Sequence, residues 1–248
     1  MVRPLAFIAM TLTLGLSVVV SVYLGNAARD ALIQKNHDFA ALLADNLNNQ
    51  IFRRFTRPTI SIFGRVALRN PEQYKQLDQI ISSIIQGLQV ENLRIFAENH
   101  TVAYSTNPDE LGSTSLAAPS VDRAAKAGGL IFDLEEQIPY HLAFFKLSLP
   151  ANSFRMRTTC PMRIPEGADD DADEDGPPSI LGVLEFSQDI SPDMENAVHF
   201  QQLTLGVTLL GSGMLMALLL FLVRRAEMAI ALRMAEEQRL LSELHQHE

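Results

Sequence analysis

Residues 203–223 read LTLGVTLLGSGMLMALLLFLV, and Arg224 and Arg225 follow at once. None of these 21 residues carries a charge. An α-helix of this length rises about 31 Å, which is close to the thickness of the hydrocarbon layer of a bilayer. The stretch therefore predicts a membrane-spanning helix, and the two arginines predict that its C-terminal end faces the cytoplasm.

A second uncharged run occupies residues 4–24, directly after Arg3. A cleaved signal peptide would have an apolar core of about 7–15 residues and a cleavage site of small residues. Gly25, Asn26 and Ala27 would suit such a site, but the uncharged core is longer than a signal peptide needs. An uncleaved span is therefore favoured, and Arg3 places the amino terminus in the cytoplasm.

Two spans with both termini in the cytoplasm divide the chain into four segments. The predicted segments are a first transmembrane helix (1–24), an outer domain (25–202), a second transmembrane helix (203–223) and a cytoplasmic signalling helix (224–248). The outer segment is long enough for one domain with a hydrophobic core. The chain is expected to be integral to a membrane.

The outer segment carries the whole net charge of the chain. It has 15 Lys and Arg against 24 Asp and Glu, and six of these acids lie within residues 169–175. This excess of negative charge argues against a nucleic-acid partner. The acidic run is either a divalent-cation site or a solvated loop, and the loop is favoured because the spacing of an EF-hand is absent.

The sequence offers no pattern for catalysis or for a resident metal or cofactor. Cys160 is the only cysteine, which excludes an intrachain disulfide and a zinc site built from several cysteines. The six histidines are scattered, and no phosphate-binding loop or Ser/His/Asp pattern occurs. We therefore predict no catalytic residue, no metal site and no cofactor within these 248 residues.

Apolar spacing predicts helices in the first part of the outer segment and a hairpin after them. Steps of three and four predict a helix over 27–55 that continues to Pro58, and another over 72–88 that breaks near Gly87. At Val90 the period changes to two, which predicts strands over 90–97 and 101–105. In the turn between them, Asn99 can take a positive φ, which would allow a tight turn.

Further elements are predicted after the hairpin. Strands are expected over 130–134, 140–149, 154–163 and 180–186, with a short helix over 121–127 and a long loop through the acidic run. Ser191 is expected to cap the helix that enters the second span, with Pro192 at its first position. Helices followed by an antiparallel meander predict an α+β fold.

Three stretches of the sequence resemble parts of known sensor proteins. LRIFAENHTVAYSTNPDELG (93–112), TTCPM (158–162) and LGVLEFSQD (181–189) resemble PAS-like (Cache) extracytoplasmic sensor domains, although the family's turn usually has Asp and Gly where Glu98-Asn99-His100 stands here. AEEQRLL (235–241) resembles the connector of membrane-bound sensor histidine kinases. The resemblance implies an antiparallel sheet of five or six strands with long N-terminal helices, flanked by two transmembrane helices and a cytoplasmic helical stub.

The resemblance also implies a function. The chain would be the transmembrane sensing module of a two-component histidine kinase in the bacterial inner membrane, with residues 25–202 periplasmic or extracellular. It would form a homodimer, detect a small-molecule or ion ligand outside, and reach a response regulator through a kinase region beyond Glu248. His247-Glu248 matches a phosphoacceptor box only superficially, because the residues before it do not fit, and we interpret the match as a coincidence. These 248 residues contain neither a phosphoacceptor box nor an ATP-binding domain, so the sequence leaves open whether the protein is an enzyme. The alternatives are a membrane-anchored binding or scaffold protein without phosphotransfer, and a different output domain after Glu248.

The strand over 154–163 suggests a ligand site. Its period of two places Arg155 and Arg157 together on one face, where paired N–H donors suit a carboxylate or phosphate. If the sheet order follows the family, Tyr104 or Tyr140 would lie nearby. The alternative is a solvated strand face, which the sequence alone favours.

Overall fold

The computed structural model describes residues 2–64, 66–68, 70–146, 148–163 and 180–245. Its elements in chain order are α1 (Val2–Ile51), a π-helical turn (Phe52–Thr56), α2 (Arg57–Phe63), α3 (Pro71–Ile85), β1 (Val90–Phe96), β2 (Val102–Ser105), a 3₁₀ turn (Pro108–Glu110), α4 (Pro119–Ala127), β3 (Ile131–Glu136), α5 (Tyr140–Ala143), β4 (Phe154–Arg163), β5 (Ile180–Asp189) and α6 (Ser191–His245). The chain forms two compact units, one of Met1–Ala28 with Ala197–Glu248 and one of Arg29–Asn196.

The first unit is helical. Two helical segments, Thr11–Phe63 and Ser191–Ala231, are long and apolar enough to cross a membrane. The first contains residues 11–24 of the first predicted run, and the second contains the whole run 203–223. Helix α6 also continues to His245, so the described part of the stub predicted after the second span is helical.

Small residues make the contacts between the two helices of this unit. The hydroxyls of Ser17 and Ser212 lie 2.8 Å apart. One turn further along α1, Ser21 donates to the carbonyl of Gln201 over 3.4 Å. Gly25 lies one more turn along, where a Cβ would collide with the Gln201 side chain. The four-residue spacing of these small residues is therefore a packing face, as is common in membrane helices.

The helix over the start of the second unit is interrupted near Pro58. Proline has no N–H to donate and crowds the preceding turn. The chain widens into the π-helical turn, in which the Arg57 N–H bonds to the Phe52 carbonyl. Gly64, at φ 72°, then ends α2 in the left-handed conformation.

The second unit contains one five-stranded antiparallel sheet, in the order β2-β1-β5-β4-β3. The predicted α+β class is confirmed at this level. One face of the sheet is apolar: Tyr104, Ile95, Leu184 and Cys160 face each other across four strands. Helices α1 and α3 contribute fully buried side chains such as Leu47 and Leu77 to the core.

The other face of the sheet is divided. At one end, α4 packs a small apolar cluster against it, which consists of Phe96, Val102, Val121, Ala124 and Val183. Towards the other end, the same face carries charged and polar residues, in the cross-strand pairs Arg94↔Glu185, Asn92↔Ser187 and Arg157↔Ser187. Cross-strand neighbours share a face, so these side chains form one polar surface.

The prediction of a strand over 140–149 is wrong. Tyr140–Ala143 is the short helix α5, because Pro139 opens a turn whose carbonyl accepts from both Leu142 N and Ala143 N. The exposure pattern also lacks alternation, since Ala143 is buried while Phe145 is 82% exposed. The turn that starts at Pro139 therefore determines the local structure, although the residues after it have a high strand propensity.

The turn and the cap also differ from what the sequence predicted. In the β1–β2 turn the positive φ belongs to His100, at 61°, while Asn99 accepts from the Thr101 N–H through its side chain. Ser191 is the first residue of α6, and its hydroxyl bonds to Phe154 instead of capping the helix. The predicted acidic loop lies outside the described residues.

Candidate ligand-binding site

Arg155 and Arg157 lie together on the polar face of β4, as the strand period predicted. They border a cleft of about 330 Å³, which is lined by Glu91, Asn92, Arg94, Arg155, Arg157 and Ser187. The side chain of Arg155 is 33% exposed and that of Arg157 is 25% exposed. The two guanidinium groups therefore border a cleft and stay partly exposed to solvent.

Acidic neighbours orient both arginines. Arg155 donates from Nε to Glu91 Oε2 over 2.8 Å. Arg157 pairs through Nη2 with Glu135 on β3, and its Nε lies 4.0 Å from Glu185 Oε2. Within the described part of the chain, the two terminal nitrogens of Arg155 have no hydrogen-bond partner. These N–H groups are available to a carboxylate or phosphate oxygen.

Arg94 forms the most highly connected ion pair of the face. It donates from Nε and Nη2 to the two oxygens of Glu110, each over 2.7 Å, and from Nη1 to Glu185 Oε1 over 2.9 Å. All three nitrogens of its guanidinium are thus used within the protein. Arg94 shapes the wall of the cleft, whereas Arg155 keeps donors for a ligand.

The carboxylate of Glu110 is held by neutral donors as well. Ser105 Oγ donates to Glu110 Oε2 over 2.7 Å, and Asn92 Nδ2 lies 3.2 and 3.3 Å from its two oxygens. The hydrogen bonds from Arg94, followed by those from Ser105 and Asn92, outweigh burial and lower the pKa of Glu110 to about 2. The loop after β2 is thereby fixed to β1.

The pKa of Glu185 is shifted in the opposite direction to that of Glu110. Its side chain is 2% exposed, and among the described residues its Oε2 has no hydrogen-bond partner. Burial raises its pKa, and the hydrogen bond from Arg94 only partly offsets that rise. A buried carboxylate beside two arginines therefore forms the floor of the polar surface.

Neither predicted tyrosine joins the two arginines. Tyr104 points from the opposite face of the sheet and is fully buried, and its hydroxyl donates to Asp78 on α3 over 2.8 Å. Burial, followed by the neighbouring Asp78, raises the pKa of Tyr104. Tyr140 lies on α5, where the Arg29 guanidinium stands 5.1 Å from its ring centre, and it does not line the cleft.

The sequence prediction missed the acidic and amide residues of this surface. Asn92 and Arg94 follow the same alternation on β1 that identified the arginines of β4. Glu185 stands between apolar residues in a strand, which is an unusual place for a charge. Both signals were present in the sequence. These residues come together in space only through the register of β1 against β5 and of β5 against β4, which the sequence pattern does not show.

Two other cavities lie in this unit. One of about 540 Å³ lies beside β2, with Tyr74, Val102 and Leu111 in its wall. One of about 220 Å³ lies beside Cys160, whose thiol pKa is raised to about 12 by burial. No group of three potential metal ligands occurs in the part of the chain that the structure describes.

No family model matches the sequence, and no curated protein matches it either.

Proposed function

We propose that this chain is the input half of a membrane-bound two-component sensor histidine kinase with a PAS-like (Cache) outer domain. The outer domain binds a small anionic molecule in the cleft beside Arg155 and Arg157. The observation that carries the proposal is the pair of arginines in a cleft of about 330 Å³, of which Arg155 keeps its terminal N–H groups available.

The geometry of the arginines supports an anion as the ligand. Glu91 pairs with Arg155 and Glu135 pairs with Arg157, so the orientation of each guanidinium group is fixed before a ligand binds. The two side chains therefore lose little conformational entropy on binding. A carboxylate or phosphate can then bridge the two guanidinium groups with paired N–H···O bonds.

The link between the cleft and α6 supports a signalling role. Arg155 follows Phe154, and the Phe154 N–H donates to the Ser191 hydroxyl over 3.0 Å at the start of α6. Helix α6 then runs without interruption to His245. A ligand that binds two arrangements of β4 with different affinity would shift the position of this helix.

The location and partners follow from the same proposal. The protein resides in the bacterial inner membrane as a homodimer, with residues 25–202 outside and both termini in the cytoplasm, and a response regulator is reached through a kinase region after Glu248. Cysteine labelling tests the topology. Exposed Lys126→Cys should react with an impermeant maleimide on intact cells, whereas exposed Glu227→Cys should react only after the cells are opened.

A fusion tests the function itself. Residues 1–248 are joined to the catalytic half of a histidine kinase, and autophosphorylation in membrane vesicles is measured with inorganic phosphate and with mono-, di- and tricarboxylates. At least one anion should change the rate, and the change should be lost in Arg155→Gln/Arg157→Gln. The control is Arg123→Gln, whose side chain is 59% exposed and pairs with Asp133 away from the cleft. Binding without any change in rate would favour the membrane-anchored binding protein.

A further inference from the structure

The π-helical turn and α2 expose a surface that combines positive charge with large apolar side chains. Arg53, Arg54 and Arg57 are exposed, and no carboxylate of the described residues lies within 4.0 Å of them. Large apolar residues follow at once with high exposure: Ile60 at 44%, Ile62 at 74%, Phe63 at 52% and Val66 at 38%. These seven residues are called the arginine–apolar patch below.

The lack of partners distinguishes these arginines from the others in the same unit. The remaining described arginines of Arg29–Asn196 all bond to a carboxylate or a carbonyl, in the pairs Arg29–Glu136, Arg94–Glu110, Arg123–Asp133, Arg155–Glu91, Arg157–Glu135 and Arg163–Gly128. The outer segment has an excess of acids, so carboxylates are plentiful. Among the described residues, three neighbouring arginines without a carboxylate partner are therefore a feature of this surface.

The inner side of the same segment fixes the patch in place. Phe52, Phe55, Thr56 and Thr59 are all less than 9% exposed. Because these four residues are anchored in the core, the three arginines between them point outwards, and the exposed apolar residues follow directly after Thr59. The surface is therefore preformed, which lowers the entropy lost when a partner binds.

We propose that the arginine–apolar patch is a docking surface for a second protein, which presents carboxylates next to an apolar side chain. The arginines have no carboxylate partner among the described residues, so an anionic partner would complement their charge. The four neighbouring apolar side chains would be removed from water when a partner covers them. Arginine with aromatic and apolar neighbours is also the composition found at protein interfaces. The patch shares no residue with the anion cleft, so this partner is additional to the ligand proposed there.

The shape of the patch favours a protein over a lipid surface. A helix that lies in a membrane interface has one long apolar face with its cationic residues along the other side. Here the patch lies at the end of the helical segment Thr11–Phe63, and its three arginines precede its apolar residues along the chain instead of running beside them on the opposite side. Ile62 and Phe63 are consecutive, so they point about 100° apart and suit a concave partner better than a plane.

The test uses the full chain in its native host with a photo-crosslinking residue, Ile62→p-benzoylphenylalanine. We expect a cross-link to a carboxylate-bearing segment of another protein, identified by mass spectrometry. The cross-link yield should fall about tenfold in Arg53→Gln/Arg54→Gln/Arg57→Gln, because three ion pairs are lost. The matched control removes the same charge elsewhere, at three exposed lysines: Lys35→Gln/Lys75→Gln/Lys126→Gln.

Salt gives a second measurement that needs no substitution among the arginines. Raising the ionic strength should lower the yield in the otherwise unaltered chain, since exposed ion pairs are screened. The proposal is overturned by an absent cross-link, by a cross-link to lipid or to this chain's own sequence, or by a yield that salt leaves unchanged. Equal losses in the arginine variant and the lysine control would overturn it as well.

Discussion

Arg94 on β1 and Glu185 on the central strand β5 form an ion pair of 2.9 Å. The same guanidinium also holds Glu110, so two carboxylates share one cation. Their pKa values move in opposite directions, because the Glu185 side chain is 2% exposed whereas that of Glu110 is 15% exposed and receives more hydrogen bonds. This contrast leads to two predictions about stability.

The first prediction concerns acid. The pKa of Glu110 falls from 4.5 to about 2 on folding, so its ionised form stabilises the native state above pH 4.5. That stability, roughly 3 kcal/mol, is lost as the pH falls from about 4.5 to about 2. Glu110→Gln should therefore lower the unfolding free energy at pH 7 and have little effect at pH 2. Thermal unfolding by circular dichroism across this range checks it, and a loss that is equal at both pH values would contradict it.

The second prediction concerns the buried carboxylate. Glu185→Ala leaves Arg94 without one of its partners and should lower the unfolding free energy by about 3 kcal/mol. Glu185→Gln keeps an oxygen for Arg94 Nη1 and should cost less than about 1 kcal/mol. Because burial raises the pKa of Glu185, its contribution to stability is present at low pH and is lost as the pH rises above 4.5. The unfolding free energy of Glu185→Gln should thus rise relative to that of the unaltered protein as the pH increases. If the two unfolding free energies change in parallel with pH, the raised pKa of Glu185 is contradicted.

The third prediction concerns the anion cleft. Arg155→Gln/Arg157→Gln should abolish stabilisation by any anion that binds there, because the substitution removes both guanidinium groups. At a ligand concentration of 100 times Kd, the stabilisation lost is about 2.7 kcal/mol. A thermal shift with each carboxylate and with phosphate measures it, and Arg123→Gln serves as the control. An unchanged thermal shift in the double variant would support the alternative interpretation, in which the two arginines belong to a solvated strand face.

The fourth prediction concerns Gly182 in β5. Its φ of +154° suits glycine, and a Cβ at this position would lie 2.7 Å from the Phe96 carbonyl oxygen on β1. Gly182→Ala should therefore strain the pairing of the central strands and lower the unfolding free energy by about 2 kcal/mol. Thermal unfolding measures the change. Gly129→Ala is the matched control, since a Cβ there meets nothing within 4 Å.

Two of the strands that were predicted correctly are β4 and β5. Phe154–Arg163 is a strand with the predicted bounds, and Ile180–Asp189 extends three residues beyond its predicted end. In β4 the buried residues alternate over most of the strand, so period two is visible in the sequence. In β5, residues 182–186 are all buried, so a largely apolar run marks that strand instead. Tyr140–Ala143 shows the limit, because a proline turn overrode the strand propensity of that run.

The candidate site was predictable in part. The shared face of Arg155 and Arg157 depends only on the strand period, and the structure has it. The partner residues depend on strand order and register, which local sequence does not encode. Tyr104 illustrates this, because one strand pairing decides whether it points to the arginines or, as found, to Asp78 on the other side of the sheet.

The last prediction concerns the helical unit. Ser17 and Ser212 have hydroxyls 2.8 Å apart, so Ser17→Cys/Ser212→Cys should form a disulfide on oxidation. The native Cys160 is buried and should not compete. In the kinase fusion, the disulfide would fix α6 against α1 within this unit. If signalling requires α6 to shift, oxidation should hold autophosphorylation at one level that no anion changes, and reduction should restore the response. The single variants Ser17→Cys and Ser212→Cys control for oxidation itself, and an anion response that persists in the oxidised double variant would exclude a shift of α6 as the signal.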